Sequence, residues 1–282
     1  MKLKMTALAL ASLCAVAAHA ADWSDTALSF RAGSKFAEPF GSTAISKDII
    51  GLTHVSGYKY GTNFFNVDFL LSNSADPSAP GSSTGAQEIY AVYRNTVDLS
   101  KATGNSFKYG IVRGLGVTGG FDLNTKTDAG YNSKKQMLVL GPTVMFDVPG
   151  FLNVGLHQLW ESNSPYSDFS HTGVPRYHYD PHPVLEADFG IPFSVGSMAL
   201  EFEGYAQYIA AKGKNEFGGD TKPETHIDAR VMYDVSAPLG AGKNTFKVGF
   251  EYEYWKNKFG NDSSNNPGAF AKTPMIRGEY HF

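Results

Sequence analysis

The chain has 282 residues, a formal net charge of −3 and a single cysteine, Cys14. With no basic arm or stripe, the composition gives no basis for nucleic-acid binding. Because Cys14 lies in an N-terminal apolar run that we expect to be removed, the remaining chain has no cysteine for disulfides, thiolate metal sites or nucleophilic catalysis.

The N-terminus has the pattern of a secretory signal peptide. Lys2 and Lys4 precede an apolar run, and Ala18-His19-Ala20 provides a small-x-small cleavage site. The run is too short for a membrane-spanning helix. We therefore expect residues 1–20 to be a cleaved signal peptide and residues 21–282 to form a single domain, since roughly 260 residues suit one domain.

The rest of the chain alternates apolar and polar residues in twelve segments bounded by turn-forming residues, which predicts strands. Long connections alternate with short ones, as in outer-membrane barrels with long outer loops and tight periplasmic turns. The sequence therefore predicts an all-β fold: a transmembrane antiparallel β-barrel of about twelve strands with both termini periplasmic. The predicted strands are 26–36, 49–60, 64–72, 87–97, 107–121, 136–146, 151–161, 181–190, 198–210, 224–233, 245–256 and 271–282.

Two short connections have good turn chemistry, at Gly61-Thr62-Asn63 and at Asp147-Val148-Pro149-Gly150. The fifth segment, 107–121, is less regular, because Arg113 shares its parity with Ile111 and Leu115. This irregularity indicates a β-bulge. The glycine-rich run within the same segment follows a strand pattern and does not predict a nucleotide-binding loop.

The last segment ends on an aromatic residue, Phe282. Ile276, Tyr280 and Phe282 share the face predicted to meet lipid, while Arg277 and Glu279 share the face predicted to meet the interior. A terminal Phe is typical of chains inserted by the barrel assembly machinery. A soluble two-sheet sandwich would alternate in the same way, but it would not need the signal peptide, the terminal Phe and the loop asymmetry together. We expect localisation in the bacterial outer membrane, in contact with its lipid.

The inward positions of the predicted strands carry many charged side chains, and acids outnumber bases among them. We expect a polar, moderately acidic and narrow lumen that favours neutral or cationic small solutes over anions. No metal or other cofactor is expected. The alternative for each residue is that the charges only pair and fill the interior. The candidate lumen and solute-binding residues are Arg31, Phe36, Tyr58, Phe64, Asp68, Tyr90, Arg94, Glu201, Glu203, Tyr205, Asp228, Arg230, Glu251 and Arg277, with Lys108 and Lys247 as further lumen bases.

Four segments of the chain, 47–69, 99–104, 146–151 and 249–260, resemble in order the Tsx-like family of nucleoside-specific outer-membrane channels, which includes OmpK. Lys35-Phe36 is similar to a basic-aromatic pair of that family. Asn66 and Thr62 depart from it, standing where an aromatic residue and an acid are common. The resemblance implies a twelve-stranded barrel that passes nucleosides by passive diffusion. It also implies an alternative role, since some members act as phage receptors through their outer loops.

An enzymatic alternative rests on His54 and Ser56, which share one face of a predicted strand. A similar pair acts in the outer-membrane phospholipase, together with a polar partner. Their parity is that of Leu52, which places them towards lipid. No outward Asn, Gln or Asp on the neighbouring strand is evident to orient the histidine, so we expect a channel and not an enzyme.

A metal-binding alternative rests on histidines and aspartates in the longest predicted outer loop. Their spacing is irregular, and a solvated loop is the expected state. The residues concerned are Asp168, His171, His178, Asp180 and His182.

Overall fold

The computed structural model describes residues 21–127, 129–167 and 172–282. The predicted signal peptide, together with Asp168 and His171 of the proposed metal cluster, lies outside these residues. Within them, no helix is both long enough and apolar enough to cross a membrane.

Twelve long strands form one closed antiparallel sheet, in which each strand pairs with the next along the chain. This confirms the predicted all-β barrel. The strands are β1 Trp23–Phe36, β2 Ile45–Tyr58, β3 Gly61–Ser72, β4 Gln87–Asp98, β5 Val112–Lys126, β6 Gln136–Phe146, β7 Phe151–Asn163, β8 His182–Val195, β9 Met198–Ile209, β10 Glu224–Asp234, β11 Phe246–Lys256 and β12 Phe270–His281.

The last strand closes the barrel by pairing with the first. Ala27 lies opposite His281, and Arg31 lies opposite Arg277. Closure satisfies the backbone hydrogen bonds of both terminal strands, so the sheet presents no open edge to lipid.

Alternation along the strands separates an apolar outer surface from a charged interior. Phe250 is 76% exposed on β11, while its neighbour Glu251 is buried. On β12, Ile276 and Tyr280 are exposed and Arg277 is buried. This is the arrangement expected where one face of each strand meets lipid.

The two ends of the barrel differ. At the end that carries both termini, which we call the turn end, strands are joined by tight turns at 59–60, 147–150 and 196–197. The short helix α1, Leu99–Thr103, also lies there, with Asp98 accepting hydrogen bonds from the backbone amides of its first turn. The opposite end, the loop end, carries the longer connections. In an outer-membrane barrel, the turn end is periplasmic and the loop end is extracellular.

Two predictions about strand ends are wrong. The turn expected at Gly61-Thr62-Asn63 is formed by Lys59 and Tyr60, and Gly61 begins β3. A side chain at Gly61 would meet the carbonyl oxygen of Thr96 on β4, so this glycine permits close packing of strands. The fifth strand is Val112–Lys126 and not 107–121, because α1 and an irregular segment occupy the connection before it.

Two register shifts alter the direction of side chains. The predicted irregularity at Arg113 is confirmed by a shift between Val112 and Gly114. A second shift lies between Gly33 and Phe36, where Lys35 adopts a left-handed backbone conformation with φ of 68°. This shift brings Phe36 to the buried side of β1 although its parity differs from that of Arg31.

Candidate functional site

The middle of the lumen contains a connected set of arginines and carboxylates, which we call the arginine network: Arg31, Asp68, Glu251, Arg277 and Glu279. Nη1 of Arg31 donates to Oε1 of Glu251 at 3.1 Å, and Nη1 of Arg277 donates to Oε2 of the same carboxylate at 2.8 Å. Nε of Arg277 donates to Glu279 at 2.6 Å, and Arg31 also pairs with Asp68. Four strands are therefore tied together across the interior by charge-assisted hydrogen bonds.

Similar pairs surround this network. Arg230 donates to Glu203 at 3.2 Å, and Lys247 donates to Glu201 at 2.8 Å near the turn end. Opposite charges thus lie close together at inward positions of β9, β10 and β11, and each pair neutralises part of the charge that alternation places in the lumen.

Arg94 anchors a second set of contacts on the wall formed by β4 and β5. Its Nη1 donates to Oδ1 of Asp122 at 2.5 Å, while the hydroxyl of Tyr90 donates to Oδ2 of the same carboxylate at 2.9 Å. Nε of Arg94 has no hydrogen-bond partner among the described residues.

A different cluster fills the lumen at the loop end. Glu38, from the connection between β1 and β2, lies 2.7 Å from Nζ of Lys47, 3.1 Å from that of Lys258 and 3.3 Å from that of Lys126. Asp76 from the 73–86 loop adds a contact of 3.0 Å to Lys126. We call these five residues the lysine cluster. All are buried, and they hold three loops of the barrel mouth against the lumen wall.

The two acids of this cluster have opposite pKa shifts. Burial alone would raise the pKa of Glu38, but Lys126, Lys258 and Lys47 hold that pKa well below its ordinary value. Burial raises the pKa of Asp76, and Lys126 only partly offsets it. Glu38 is therefore the carboxylate whose charge holds the lysines together at neutral pH.

Aromatic side chains cover the lumen beside the lysine cluster. Tyr131 stacks on Phe259 at a centroid distance of 5.8 Å, and Trp255 meets Phe259 edge to face at 5.0 Å. Trp255 also stacks on His226 at 4.0 Å with nearly parallel rings, and its indole donates to Glu224 at 3.0 Å. With Ala37, the residues Tyr131, Trp255 and Phe259 form what we call the aromatic cap.

Lys212 holds the opposite side of the mouth. Its ammonium lies 2.9 Å from Oε1 of Glu161 and 3.5 Å from Glu224, and it sits 4.5 Å from the ring centroid of Tyr179. The side chain is fully buried, so it serves as a structural cation although it comes from a loop.

Below the aromatic cap lies a narrow cavity of about 20 Å³, which we call the inner pocket. Met137, Leu159, Val184 and Ile209 on β6 to β9 form an apolar wall of this pocket. Polar side chains come from the neighbouring strands β4 and β5, from the residue preceding β6, and from β8, β9 and β10. The lining residues are Tyr90, Arg94, Asp122, Lys135, Met137, Leu159, Val184, Glu186, Gln207, Ile209, His226 and Trp255.

A second cavity, of about 160 Å³, opens between the loops outside the lysine cluster. Glu38 and Tyr131 line this outer crevice, and Asp76 lies on its floor. Tyr131 and Glu38 also belong to the cap and cluster that cover the lumen. These side chains therefore stand between the outer crevice and the inner pocket.

Lys135 is the cation of the inner pocket. It is 7% exposed, and its ammonium lies 6.0 Å from the ring centroid of Tyr90. Burial would lower the pKa of Lys135, but the carboxylates of Glu161, Asp122 and Glu224 outweigh it and raise the pKa above its ordinary value. The side chain is therefore protonated at neutral pH.

The structure places thirteen of the fourteen predicted lumen residues on the inner face of the barrel. Tyr90 and Arg94 line the inner pocket. Their role towards a solute stays a prediction. The remainder lie in or beside the arginine network or against other walls: Arg31, Phe36, Phe64, Asp68, Glu201, Glu203, Tyr205, Asp228, Arg230, Glu251 and Arg277.

Tyr58 is the exception, and its prediction as a lumen residue is wrong. It shares the parity of Ile50, which is exposed on the outer face of β2. Its hydroxyl donates to Asn95, which in turn donates to Asn63. Tyr58 therefore belongs to a polar group on the outer surface at the turn end. Lys108 also lies outside the lumen, paired with Asp147 at 2.9 Å in an exposed position.

Sequence reasoning missed much of the loop-end chemistry. Glu88 and Glu224 lie within predicted strands, and their parity could have identified them as inward, whereas Asp122 lies one residue beyond the predicted end of the fifth strand. The remaining residues come from loops or from strand ends beyond the predicted bounds, where no alternation marks direction. These missed residues are Glu38, Lys47, Asp76, Lys126, Lys135, Lys212 and Lys258.

The structure also places the residues behind the enzymatic and metal-binding alternatives. Nδ1 of His54 lies 2.8 Å from the hydroxyl of Thr26, and no hydrogen bond joins His54 to Ser56. No group of three or more metal-ligating side chains is found in the described ranges. His182, from the proposed metal cluster, instead lies 3.7 Å from Glu161.

No protein-family model and no curated protein matches the chain. Among solved structures, the KdgM porin is 10% identical, with 91% of this chain and 99% of the porin covered and a TM-score of 0.40. The translocator domain of autotransporter NalP from Neisseria meningitidis is 13% identical, with 100% and 96% covered and a TM-score of 0.43. The β domain of the Bordetella autotransporter BrkA is 11% identical, with 92% and 99% covered and a TM-score of 0.40. At these TM-scores, the likenesses carry no argument about a solute.

Proposed function

We propose that this barrel is an outer-membrane channel for the passive diffusion of small solutes, and that nucleosides are the solute class. The observation that carries the proposal is the inner pocket, which combines an apolar wall with polar side chains within the lumen. A nucleoside has the matching chemistry, because its base is a flat ring and its sugar carries hydroxyl groups.

The apolar wall suits the base. Met137, Leu159, Val184 and Ile209 are buried and pack together on four adjacent strands. A flat ring that packs on this wall gains about 25 cal/mol for each Å² of apolar surface that it buries, and these side chains expose little such surface. That gain is weak, which is what passage requires, since a solute must enter a site in the lumen and also leave it.

The polar wall suits hydroxyls and ring heteroatoms. Tyr90, Arg94 and Asp122 are already arranged by their mutual hydrogen bonds. Their remaining donors and acceptors can therefore bind the base or the sugar of a nucleoside without a rearrangement of these three side chains. At about 20 Å³ the cavity is near the size of one water molecule, so it must widen to admit a nucleoside.

Passage also requires the mouth to open. Glu38 and Tyr131 lie between the outer crevice and the inner pocket, so they must move aside for a solute to pass. The sequence resemblance of segments such as 47–69 to the nucleoside-channel family independently supports the same solute class.

Single-channel recording in planar bilayers tests the proposal. We expect nucleosides to interrupt the ion current at millimolar concentration, and sugars of similar size to do so much less. Leu159→Gln places an amide on the apolar wall and should weaken the nucleoside block several-fold. Leu159→Met keeps the wall apolar at similar volume and serves as the matched control. A barrel that conducts no ions, or that sugars block equally well, would contradict the proposal.

A further inference from the structure

Lys135 differs from the other buried lysines of the lumen. Across the residues that the structure describes, no hydrogen bond and no ion pair within 4.0 Å engages its ammonium, whose nearest recorded partner is the face of Tyr90 at 6.0 Å. By contrast, each of the other lumen lysines has a carboxylate within 3.3 Å. These are Lys47, Lys126, Lys212, Lys247 and Lys258.

The carboxylates that line the same pocket are engaged elsewhere. Asp122 accepts hydrogen bonds from Arg94 and Tyr90. Glu186 accepts from the amide of Gln207 at 2.9 Å and lies 3.2 Å from Nδ1 of His157. Lys135 thus brings three donors to the inner pocket, and the described part of the chain supplies no acceptor for them.

Because no hydrogen bond from the described residues engages the ammonium of Lys135, its donors are available to a ligand. A solute in the pocket that presents an oxygen can accept from them. An amino group at the same place on the solute is itself a donor and leaves the ammonium unsatisfied. Lys135 is therefore positioned to recognise one exocyclic group of a solute whose ring packs on the apolar wall.

We propose that Lys135 is a specificity residue that favours oxo-substituted over amino-substituted bases. The inference rests on the proposed nucleoside channel and names its preferred substrates. A 6-oxopurine presents O6 and N7 as two adjacent acceptors, the edge that lysine and arginine recognise in DNA, whereas adenine replaces O6 with an amino donor. Uridine and cytidine differ in the same way at C4. Arg94, whose Nε also lacks a partner, adds a second donor to the same pocket.

Nucleoside block of single channels tests the proposal with two matched pairs, inosine against adenosine and uridine against cytidine. A hydrogen bond to a charged group predicts about a tenfold tighter block by the oxo member of each pair. Lys135→Met should make the members of each pair equal while the block by adenosine changes little. Lys135→Arg keeps a cationic donor and should keep the preference. Lys134→Met is the matched control, since Lys134 is exposed and lies next in the chain.

The outcomes separate this inference from the proposed function. A wild-type channel that inosine and adenosine block equally, or a preference that survives Lys135→Met, overturns the role of Lys135 but leaves a nucleoside channel intact. Absence of block by all four nucleosides overturns the proposed function, and this inference with it. If Lys135→Met does not fold, Lys135→Gln offers both a donor and an acceptor and should remove most of the preference.

Discussion

The loop end and the middle of the lumen are both filled with ion pairs, but they use different cations. At the loop end the buried cations are lysines, such as Lys47, Lys126 and Lys258 around Glu38. In the middle they are arginines, such as Arg31 and Arg277 around Glu251. An arginine presents a planar fork of donors that fixes the position of its carboxylate, whereas a lysine is a point charge on a flexible stem.

This difference between arginine and lysine pairs explains how one lumen can be stable and still let solutes through. Arginine pairs in the middle cross-link β1, β3, β11 and β12 through their carboxylates. Lysine pairs at the loop end join loops to the wall, and each ammonium can exchange one carboxylate for another without loss of charge. The contrast predicts that substitutions at the loop end change conductance first, and that substitutions in the middle change stability first.

Glu38→Gln should have the largest effect. It removes the carboxylate on which three buried lysines converge, and leaving a buried charge unpaired costs about 3–5 kcal/mol. We expect the 37–44 loop to detach from the wall, ion conductance to rise several-fold and protease cleavage in this loop to become faster. Single-channel recording and limited proteolysis measure these changes.

Asp262→Asn is the matched control for that change. Asp262 is a loop acid of the same end, 3.6 Å from the exposed Lys222, and its pair is screened by solvent. Conductance should stay at the wild-type level in this variant. Equal conductance in Glu38→Gln and wild type would show that the lysine cluster does not restrict the mouth.

Arg277→Lys tests the other half of the comparison. The substitution keeps the charge but loses the fork that joins Glu251 and Glu279 at 2.8 and 2.6 Å. We expect a loss of about 2 kcal/mol in the free energy of unfolding, because a buried carboxylate loses a charge-assisted hydrogen bond. Urea unfolding followed by the gel mobility of the folded barrel measures it. An unchanged unfolding midpoint would show that lysine and arginine are equivalent here.

The comparison also shows what could be predicted from the sequence. Strand alternation is a backbone property, so it identified the barrel, its closure and inward residues such as Arg31 and Glu251. It gave no information on loop residues such as Glu38 and Lys135, whose direction depends on how the loops fold back over the lumen. Tyr58 was assigned to the lumen for its aromatic ring, although its parity with Ile50 already pointed outward.

Low pH should partly open the mouth of the barrel, and conductance should rise less than it does in Glu38→Gln. Because the folded pKa of Glu38 is lowered, its stabilising contribution is complete above about pH 4.5 and is lost as the pH falls through the folded pKa. The raised pKa of Asp76 acts in the opposite direction, since proton uptake there relieves a burial cost. We expect wild-type conductance to be constant from neutral pH to about pH 5 and to rise below about pH 4.

The variant Glu38→Gln gives this pH experiment its control. It lacks the group that titrates, so only the contribution of Asp76 remains, and conductance should not rise further on acidification. If acidification raised conductance equally in both proteins, a group other than Glu38 would open the mouth. The lysine cluster would then have no role in the response to low pH.

The smallest expected effect comes from a residue that belongs to neither region. Tyr58→Phe removes a hydroxyl that bonds to Asn95 on the outer surface at the turn end. Loss of one partly buried hydrogen bond costs about 1 kcal/mol, so the unfolding midpoint should fall slightly. Conductance and nucleoside block should not change, because the side chain lies outside the lumen. A measurable change in nucleoside block would show that the Tyr58 side chain faces the lumen. That result would contradict the β2 register, which assigns Tyr58 to the outer surface.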